Sequence, residues 1–322
     1  MLEGARDRFS LREGDADVAL LFRVASDWRR PDARDGGWNL YWRSADGYGQ
    51  ILPRPTPDEV TRFYDLAQYY THGTDQGVQA RRTLGWRLLE SAASRFEGDS
   101  RPPRRWWSDL LGEGRFRVVE IGCGHGQTLA LLAEEGHDVF GVEPDPVALA
   151  EARKRGIEVS QATAESLPPE LAPEIWDVVL MSHVLEHCVD PALALENAAG
   201  LLRPGGRLVV EVPNNDCEGF RRFGDEWYWL DVPRHLNFFT RSSLEGLIET
   251  VGLEVEAVEF RGYWRQICQE WAGQQANIRR AYGRPPGTPL ASQTAYFLKT
   301  FRAPPENKFD SLRIVARKQP TA

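Results

Sequence analysis

The run Val118 to Gly126 (VVEIGCGHG) limits the fold more than any other stretch of this chain. Its strand-like start, Val118-Val119-Glu120-Ile121, carries an acid one residue from its end. Three glycines spaced by two follow, and then the helical pattern Gln127-Thr128-Leu129-Ala130-Leu131-Leu132 begins. Glycines at a strand-to-helix turn leave backbone with no Cβ, so a flat ligand can approach both the strand end and the helix N-terminus. Downstream, short apolar runs alternate with helical stretches. Strands are expected at 117–121, 137–142, 157–159, 176–181 and 207–212, and helices at 127–135, 146–155 and 191–202. A helix at 241–251 and strands at 253–260 and 311–316 complete the series. Such alternation means crossover units and a parallel sheet covered on both faces, so the fold class is α/β: a Rossmann-like, doubly wound, mostly parallel sheet.

The glycine spacing separates two ligand classes. A dinucleotide turn of the form G-x-G-x-x-G needs its third glycine at position 127, where Gln127 stands; here it comes one residue early, at Gly126. Glu143 lies 21 residues past Gly122, at the end of the second strand, where a carboxylate can hold two ribose hydroxyls and disfavours a 2′-phosphate. A nicotinamide oxidoreductase is further disfavoured by the lack of a Tyr-x-x-x-Lys pair near the fourth strand.

Charge and cysteine content remove other classes. A net charge of −8 and a pI of about 5.4 argue against nucleic acid as the partner, and the arginine pairs are scattered among acids. The cysteines, Cys123, Cys188, Cys217 and Cys268, form no C-x-x-C pair, so neither a zinc ribbon nor a disulfide framework is indicated. No window approaches the ~18 apolar residues of a membrane span, and the charged N-terminus lacks a signal-peptide core. The expectation is a cytoplasmic protein acting on a small molecule, with no membrane partner; the assembly allowed for is a homodimer.

Ahead of the sheet, residues 18–24, 38–43 and 48–52 read as strands, the last two joined through Ser44-Ala45-Asp46-Gly47 as a hairpin. A helix is expected from Pro57 and another over 77–96. The polar, proline-containing stretch 97–105 reads as a boundary. The expected domains are therefore an accessory segment at 1–105, acting as a substrate cap, and a ligand-binding domain at 106–322. The latter carries a lid-like insertion at about 261–305.

Glu120-Ile121-Gly122-Cys123-Gly124-His125-Gly126 resembles the first motif, acid-x-G-x-G-x-G, of the class I S-adenosylmethionine-dependent methyltransferases. Three later blocks resemble the same family: Thr163-Ala164-Glu165-Ser166-Leu167-Pro168, the stretch from Trp176 to His187, and Leu202-Arg203-Pro204-Gly205-Gly206. The resemblance implies the class I methyltransferase fold and S-adenosyl-L-methionine as cofactor. It implies that Glu120 helps hold the cofactor's ammonium, that Gly122, Cys123, Gly124 and Gly126 admit its methionine part, and that Glu143 and Pro144 flank the ribose. Ala164 and Glu165 would flank the adenine, with Thr163 where the family's aspartate usually stands, and Ser182 would close the site. Leu52 to Glu59 with Tyr64, Tyr69 and Tyr70, together with His235 to Thr240, resemble a bacterial subgroup whose N-terminal zinc ribbon has lost its cysteines here.

Substrate chemistry in such a fold sits at the carboxyl ends of the strands, where His183, Glu186, His187 and His235 fall. His183 or His235 is the expected base for a hydroxyl acceptor, supported by Glu186 and His187. His183-x-x-Glu186-His187 with His235 also resembles the E-x-x-E-H plus histidine metal site of some methyltransferases, so a divalent metal is the alternative role. His187 reads equally as a residue orienting the loop before Asp190-Pro191. The expected activity is transfer of a methyl group to a hydroxyl of a sugar, glycoconjugate or natural product. Nitrogen or carbon methylation, and a cofactor-binding regulatory module without turnover, are the alternatives. Aromatics from Phe220 to Trp229 read as packing or as a lid.

Overall fold

The computed structural model describes residues 9–30, 37–64, 83–96 and 104–320. Three antiparallel strands open it: β1 (Val18–Val24), β2 (Trp38–Arg43) and β3 (Tyr48–Leu52). Helix α1 (Pro57–Phe63) starts in a capping box: the Thr56 amide donates to Glu59 Oε2 at 2.8 Å and the Glu59 amide to Thr56 Oγ1 at 3.4 Å. Helices α2 (Leu84–Ala93) and α3 (Arg104–Leu111) follow. The helix expected over 77–96 is described only from Leu84, and Tyr69, Tyr70 and His72 lie outside the described residues.

Helix α3 runs across the expected boundary at residue 105. Its register explains this: Trp107 and Leu111, four residues apart, share one face and pack on the sheet with Val118, Leu132, Val178 and Val209. The helix therefore belongs to the body that follows it.

That body is built on β4 (Arg117–Ile121), α4 (Gln127–Glu134), β5 (Asp138–Val142), α5 (Pro146–Lys154), β6 (Val159–Ser160), β7 (Trp176–Ser182), α6 (Pro191–Leu201) and β8 (Leu202–Pro213). After α7 (Glu218–Phe223) come β9 (Asn237–Phe239), α8 (Arg241–Thr250), β10 (Leu253–Arg261), four helices and β11 (Ser311–Lys318). The helices are α9 (Trp264–Ile267), α10 (Gln269–Ala281), α11 (Pro289–Thr300) and α12 (Pro305–Lys308). The main sheet has the order β10-β11-β8-β7-β4-β5-β6, with only β11 antiparallel to its neighbours. From β4 the chain winds outward through β5 and β6, then returns to β7 and β8 on the other side. The crevice of a doubly wound sheet opens at that reversal, between β4 and β7.

Helix starts are set locally as the sequence expects. Asp145 accepts from the Val147 amide and Asp190 from the Leu193 amide, each followed by proline at the first helical position. Less visible from sequence is β9, which pairs antiparallel with β3 through Tyr48↔Phe239, Gly49↔Phe238 and Gln50↔Asn237. The N-terminal sheet thus has the order β1-β2-β3-β9. Its face packs Val24, Leu40 and Ile51 against Phe220, Trp227, Leu236 and Phe238.

Candidate active site

Each glycine of the turn after β4 has a separate steric reason. All three have positive φ: 71° at Gly122, 52° at Gly124 and 69° at Gly126. A Cβ on Gly122 would lie 2.3 Å from Val184 Cγ2, and one on Gly126 would lie 3.2 Å from Ala152 Cβ and 3.3 Å from Ile157 Cγ1. These two glycines let the β7 loop and α5 close onto the turn. Gly124 alone has no atom within 4 Å of such a Cβ, so it is the glycine that keeps open space in the crevice.

Glu143 closes the turn from β5. Its Oε2 accepts from the Gly124 amide at 2.7 Å and its Oε1 from the Asp145 amide at 2.8 Å. Burial raises its pKa above the usual carboxylate value, with the two amides pulling the other way. Glu120 and Cys123 are buried at the strand end; burial also pushes the Cys123 thiol up, away from reactive values. The carbonyl of Pro144 accepts from Gln161 Nε2 at 3.1 Å. Ala164 is buried and its carbonyl accepts from Asn197 Nδ2 at 2.9 Å. Glu165 Oε1 accepts from the Asp190 amide at 2.8 Å, so its carboxylate fastens this loop to the start of α6. A shallow hollow of about 510 Å³ beside this loop, along Arg153 and residues 160–170, contains none of the histidines.

A second cavity, of about 370 Å³, runs from Trp107 and Thr128 past Ser182 to His183, His187 and His235. Tyr228 and Trp229 wall it, and Trp229 is fixed by donating its Nε1–H to Asp310 Oδ2 at 2.9 Å. The cavity's lining takes in Thr128, in the first turn of α4, together with the three histidines, and none of residues 120–126. Helix α10 of the expected lid region backs this wall, with Trp271 4.7 Å from Tyr228 and 5.9 Å from Trp229 between ring centroids.

The sequence-predicted histidines converge but differ in state. His183 follows β7 with φ 55°, a left-handed conformation that a non-glycine residue holds only where its surroundings enforce it. Its Nδ1 lies 3.1 Å from Glu186 Oε1 and its Nε2 3.7 Å from Glu211 Oε1, and its ring stacks on Trp229 at 5.1 Å. Burial alone would lower its pKa, but the hydrogen bonds and charges of Glu186 and Glu211 override that and raise it to about 9. His183 is thus an imidazolium at neutral pH. Burial would raise Glu211, but its hydrogen bond with His183 and then the charge of Arg313, whose Nε and Nη2 lie 2.9 and 2.5 Å away, lower it to about 2.

His235 is the opposite case. Burial, and then the neighbouring His187, lower its pKa to about 4, so the ring is neutral. A carbonyl oxygen can only accept, so the 2.7 Å contact between Nδ1 and the Trp229 carbonyl puts the proton on Nδ1 and the lone pair on Nε2. His187 is likewise lowered by burial, and its Nδ1 lies 3.1 Å from the Arg234 carbonyl and 2.7 Å from the Tyr64 hydroxyl. The two rings meet edge to face at 4.6 Å.

Glu186, His187 and His235 each place one donor atom within 4.8 Å of the others, the only such trio among the described residues. Glu186 Oε2 and His187 Nε2 are buried and have no hydrogen-bond partner. Buried polar atoms without partners are costly and point to a missing ligand. A carboxylate oxygen and two neutral imidazole nitrogens suit a divalent transition ion.

Sequence reasoning missed the charged frame around this trio. Arg234, fully buried, donates to Asp27 at 2.7 and 2.8 Å and to Asp231 at 2.7 Å. Arg29 bonds Asp231 at 2.9 Å. No local pattern marks this frame, because Arg234 and Asp27 meet across 207 positions.

No helix among the described residues is long and apolar enough to cross a membrane. A family model described as a methyltransferase domain matches residues 80–258. The chain is 35% identical over 191 residues to a ubiquinone biosynthesis O-methyltransferase of Aeromonas salmonicida, covering 52% of this chain and 79% of that protein. It is 34% identical over 213 residues to a protein of the same name from Cereibacter sphaeroides, covering 62% and 83%. In structure it resembles a Galdieria sulphuraria protein described as a sarcosine dimethylglycine methyltransferase, with a TM-score of 0.50, 14% identity, and coverage of 67% of this chain and 84% of that one. The sheet order, the glycine turn with Glu143 and the matched domain agree, and the chain belongs to the methyltransferase-domain family as a class I S-adenosylmethionine-dependent methyltransferase.

Proposed function

We propose that this enzyme methylates a hydroxyl oxygen of a small acceptor carrying two neighbouring oxygens, such as a vicinal diol of a sugar or a catechol-like ring, and that Glu186, His187 and His235 hold a divalent ion that receives them. The observation that carries the reading is the convergence of these three side chains with Glu186 Oε2 and His187 Nε2 left without partners. The relatives' shared name as O-methyltransferases supports oxygen over nitrogen or carbon.

When bound, S-adenosylmethionine supplies an electrophilic methyl on a positively charged sulfur; the open side of Gly124 and the carboxylates of Glu120 and Glu143 would hold it. A divalent ion would lower the acceptor hydroxyl's pKa. The chain's own residues do the positioning. His183, protonated, holds Glu186 Oε1 and leaves Oε2 directed to the trio. Its charge, set by Glu186 and Glu211, suits it to positioning; the single lone pair of His235, on Nε2, would go to the ion when one is held and would take the acceptor's proton only in the ion's absence. The cavity of about 370 Å³ admits a small acceptor in place of bulk water.

The test is transfer of labelled methyl to catechol, vicinal-diol and sugar acceptors, with and without a chelator. Activity lost to the chelator and restored by Mn²⁺ supports the reading, and His235→Ala should lower turnover by about 10²-fold with donor affinity nearly unchanged. Activity indifferent to the chelator would remove the ion and leave His235 as base. Binding of donor and demethylated product without transfer to any acceptor would refute catalysis on hydroxyls.

A further inference from the structure

We infer that Tyr64, contributed by the N-terminal segment, is a positioning residue of the active site: it fixes the ring of His187 so that Nε2 faces Glu186 and His235. The inference rests on the proposed role of that trio. Three observations place Tyr64 there. Its hydroxyl lies 2.7 Å from His187 Nδ1, the shortest contact that ring makes. The same nitrogen lies 3.1 Å from the Arg234 carbonyl, which can only accept. Nδ1 therefore carries the proton, shared between the carbonyl and the tyrosine oxygen, and the lone pair is on Nε2, the atom with no other partner.

The placement of Tyr64 is built rather than incidental. It is the residue after α1, whose last carbonyls are anchored: Phe63 O accepts from Arg234 Nη1 at 3.4 Å and Arg62 O from Arg30 Nη1 at 3.1 Å. Phe63 is buried edge-on against Trp38 at 6.1 Å. Arg234 thus contacts His187 through its carbonyl and the end of α1 through its guanidinium, so the helix that carries Tyr64 and the loop that carries His187 are held by one residue. An outer partner that accepts the second ring N–H of a ligating histidine fixes its tautomer and orientation, and losing it costs 10- to 100-fold in metal affinity.

Tyr64→Phe removes the hydroxyl and keeps the ring that meets His187 at 5.9 Å. Two measurements are made on wild type and variant: Mn²⁺ affinity by calorimetry, and the Nδ1–H resonance of His187 with its exchange rate from side-chain ¹⁵N–¹H correlation spectra of the metal-free protein. The expected result is about 10-fold weaker Mn²⁺ binding, an unchanged thermal midpoint without metal, and, with the proton kept on Nδ1 by the Arg234 carbonyl, a displaced Nδ1–H resonance that exchanges faster with water once the nearer acceptor is gone. Unchanged Mn²⁺ affinity together with an unchanged Nδ1–H resonance would overturn the inference. If wild type binds no Mn²⁺, the ion of the proposed function fails, and the spectra still decide: a displaced, faster-exchanging Nδ1–H in Tyr64→Phe supports Tyr64 as the positioning group, and an unchanged spectrum overturns it.

Discussion

Replacing Gly122 by alanine separates packing from ligand access in the glycine turn. The new methyl would sit 2.3 Å from Val184 Cγ2 on a backbone with φ 71°. The left-handed conformation costs an alanine about 1–2 kcal/mol. Overpacking against a branched side chain adds about 1–3 kcal/mol, and the loss of chain entropy in the unfolded state returns roughly 0.5 kcal/mol. The net expectation is about 2–4 kcal/mol of destabilisation. Gly124→Ala shares the backbone cost but meets no atom within 4 Å, so it should lose only about 1 kcal/mol while weakening binding of the demethylated donor. Combining Gly122→Ala with Val184→Ala removes the clash and should show about 1–3 kcal/mol of favourable coupling. Urea denaturation of wild type, Gly122→Ala, Gly124→Ala, Val184→Ala and the double variant, with S-adenosylhomocysteine calorimetry, gives both quantities. A Gly122→Ala protein no less stable than Gly124→Ala, or no coupling to Val184, would refute the assignment of Gly122 to packing.

Stability should peak near pH 6–7. His183 has a pKa raised to about 9, so its contribution is complete below about 6.5 and is lost as pH rises through 9. His235 is lowered to about 4 and His187 is lowered too, so theirs is present above about 6.5 and lost as pH falls toward 4. Denaturation midpoints from pH 4 to 10 check this; a midpoint that rises between pH 7 and 9 would contradict it, and His183→Gln should flatten the alkaline limb. Arg54→Met should cost about 3 kcal/mol or more in urea, because the Arg54 guanidinium serves the carbonyls of Leu236, Cys188 and Val189 and the Asn237 side chain, all of which would lose a charged donor. Arg54→Lys should recover only part of that loss, since an ammonium cannot span the same four acceptors.

What the sequence made legible was local. The turn at Gly122 to Gly126, the start of α4 at Gln127 and the Asp190-Pro191 cap are each specified within a few residues, and the strand-helix alternation follows from period alone. Helix α3 was hidden because its arginines and tryptophans follow two prolines, and only its burial shows which face matters. Strand β9 is three residues long and its partner lies some 190 residues earlier, beyond any periodic signal. The states of the histidines were equally unreadable. His183 and His235 look alike in sequence, but one faces two carboxylates and the other a carbonyl and a second imidazole. Spacing within the chain carries no trace of Glu211 meeting Arg313 across 102 positions.

The ladder between β3 and β9 has a practical meaning for anyone trimming this protein. Phe238 and Phe239 follow His235, Leu236 and Asn237, and the edge of their strand is covered by β3 of the N-terminal sheet. A shortened version starting at Arg104 would keep every residue of the proposed cofactor crevice, yet it would bare a hydrophobic strand beside the proposed acceptor pocket and lose Arg54 from the carbonyls of the adjoining loop. Such a fragment should still take up the methyl donor while aggregating through that bared edge, and adding the first 96 residues as a separate polypeptide should restore both solubility and turnover.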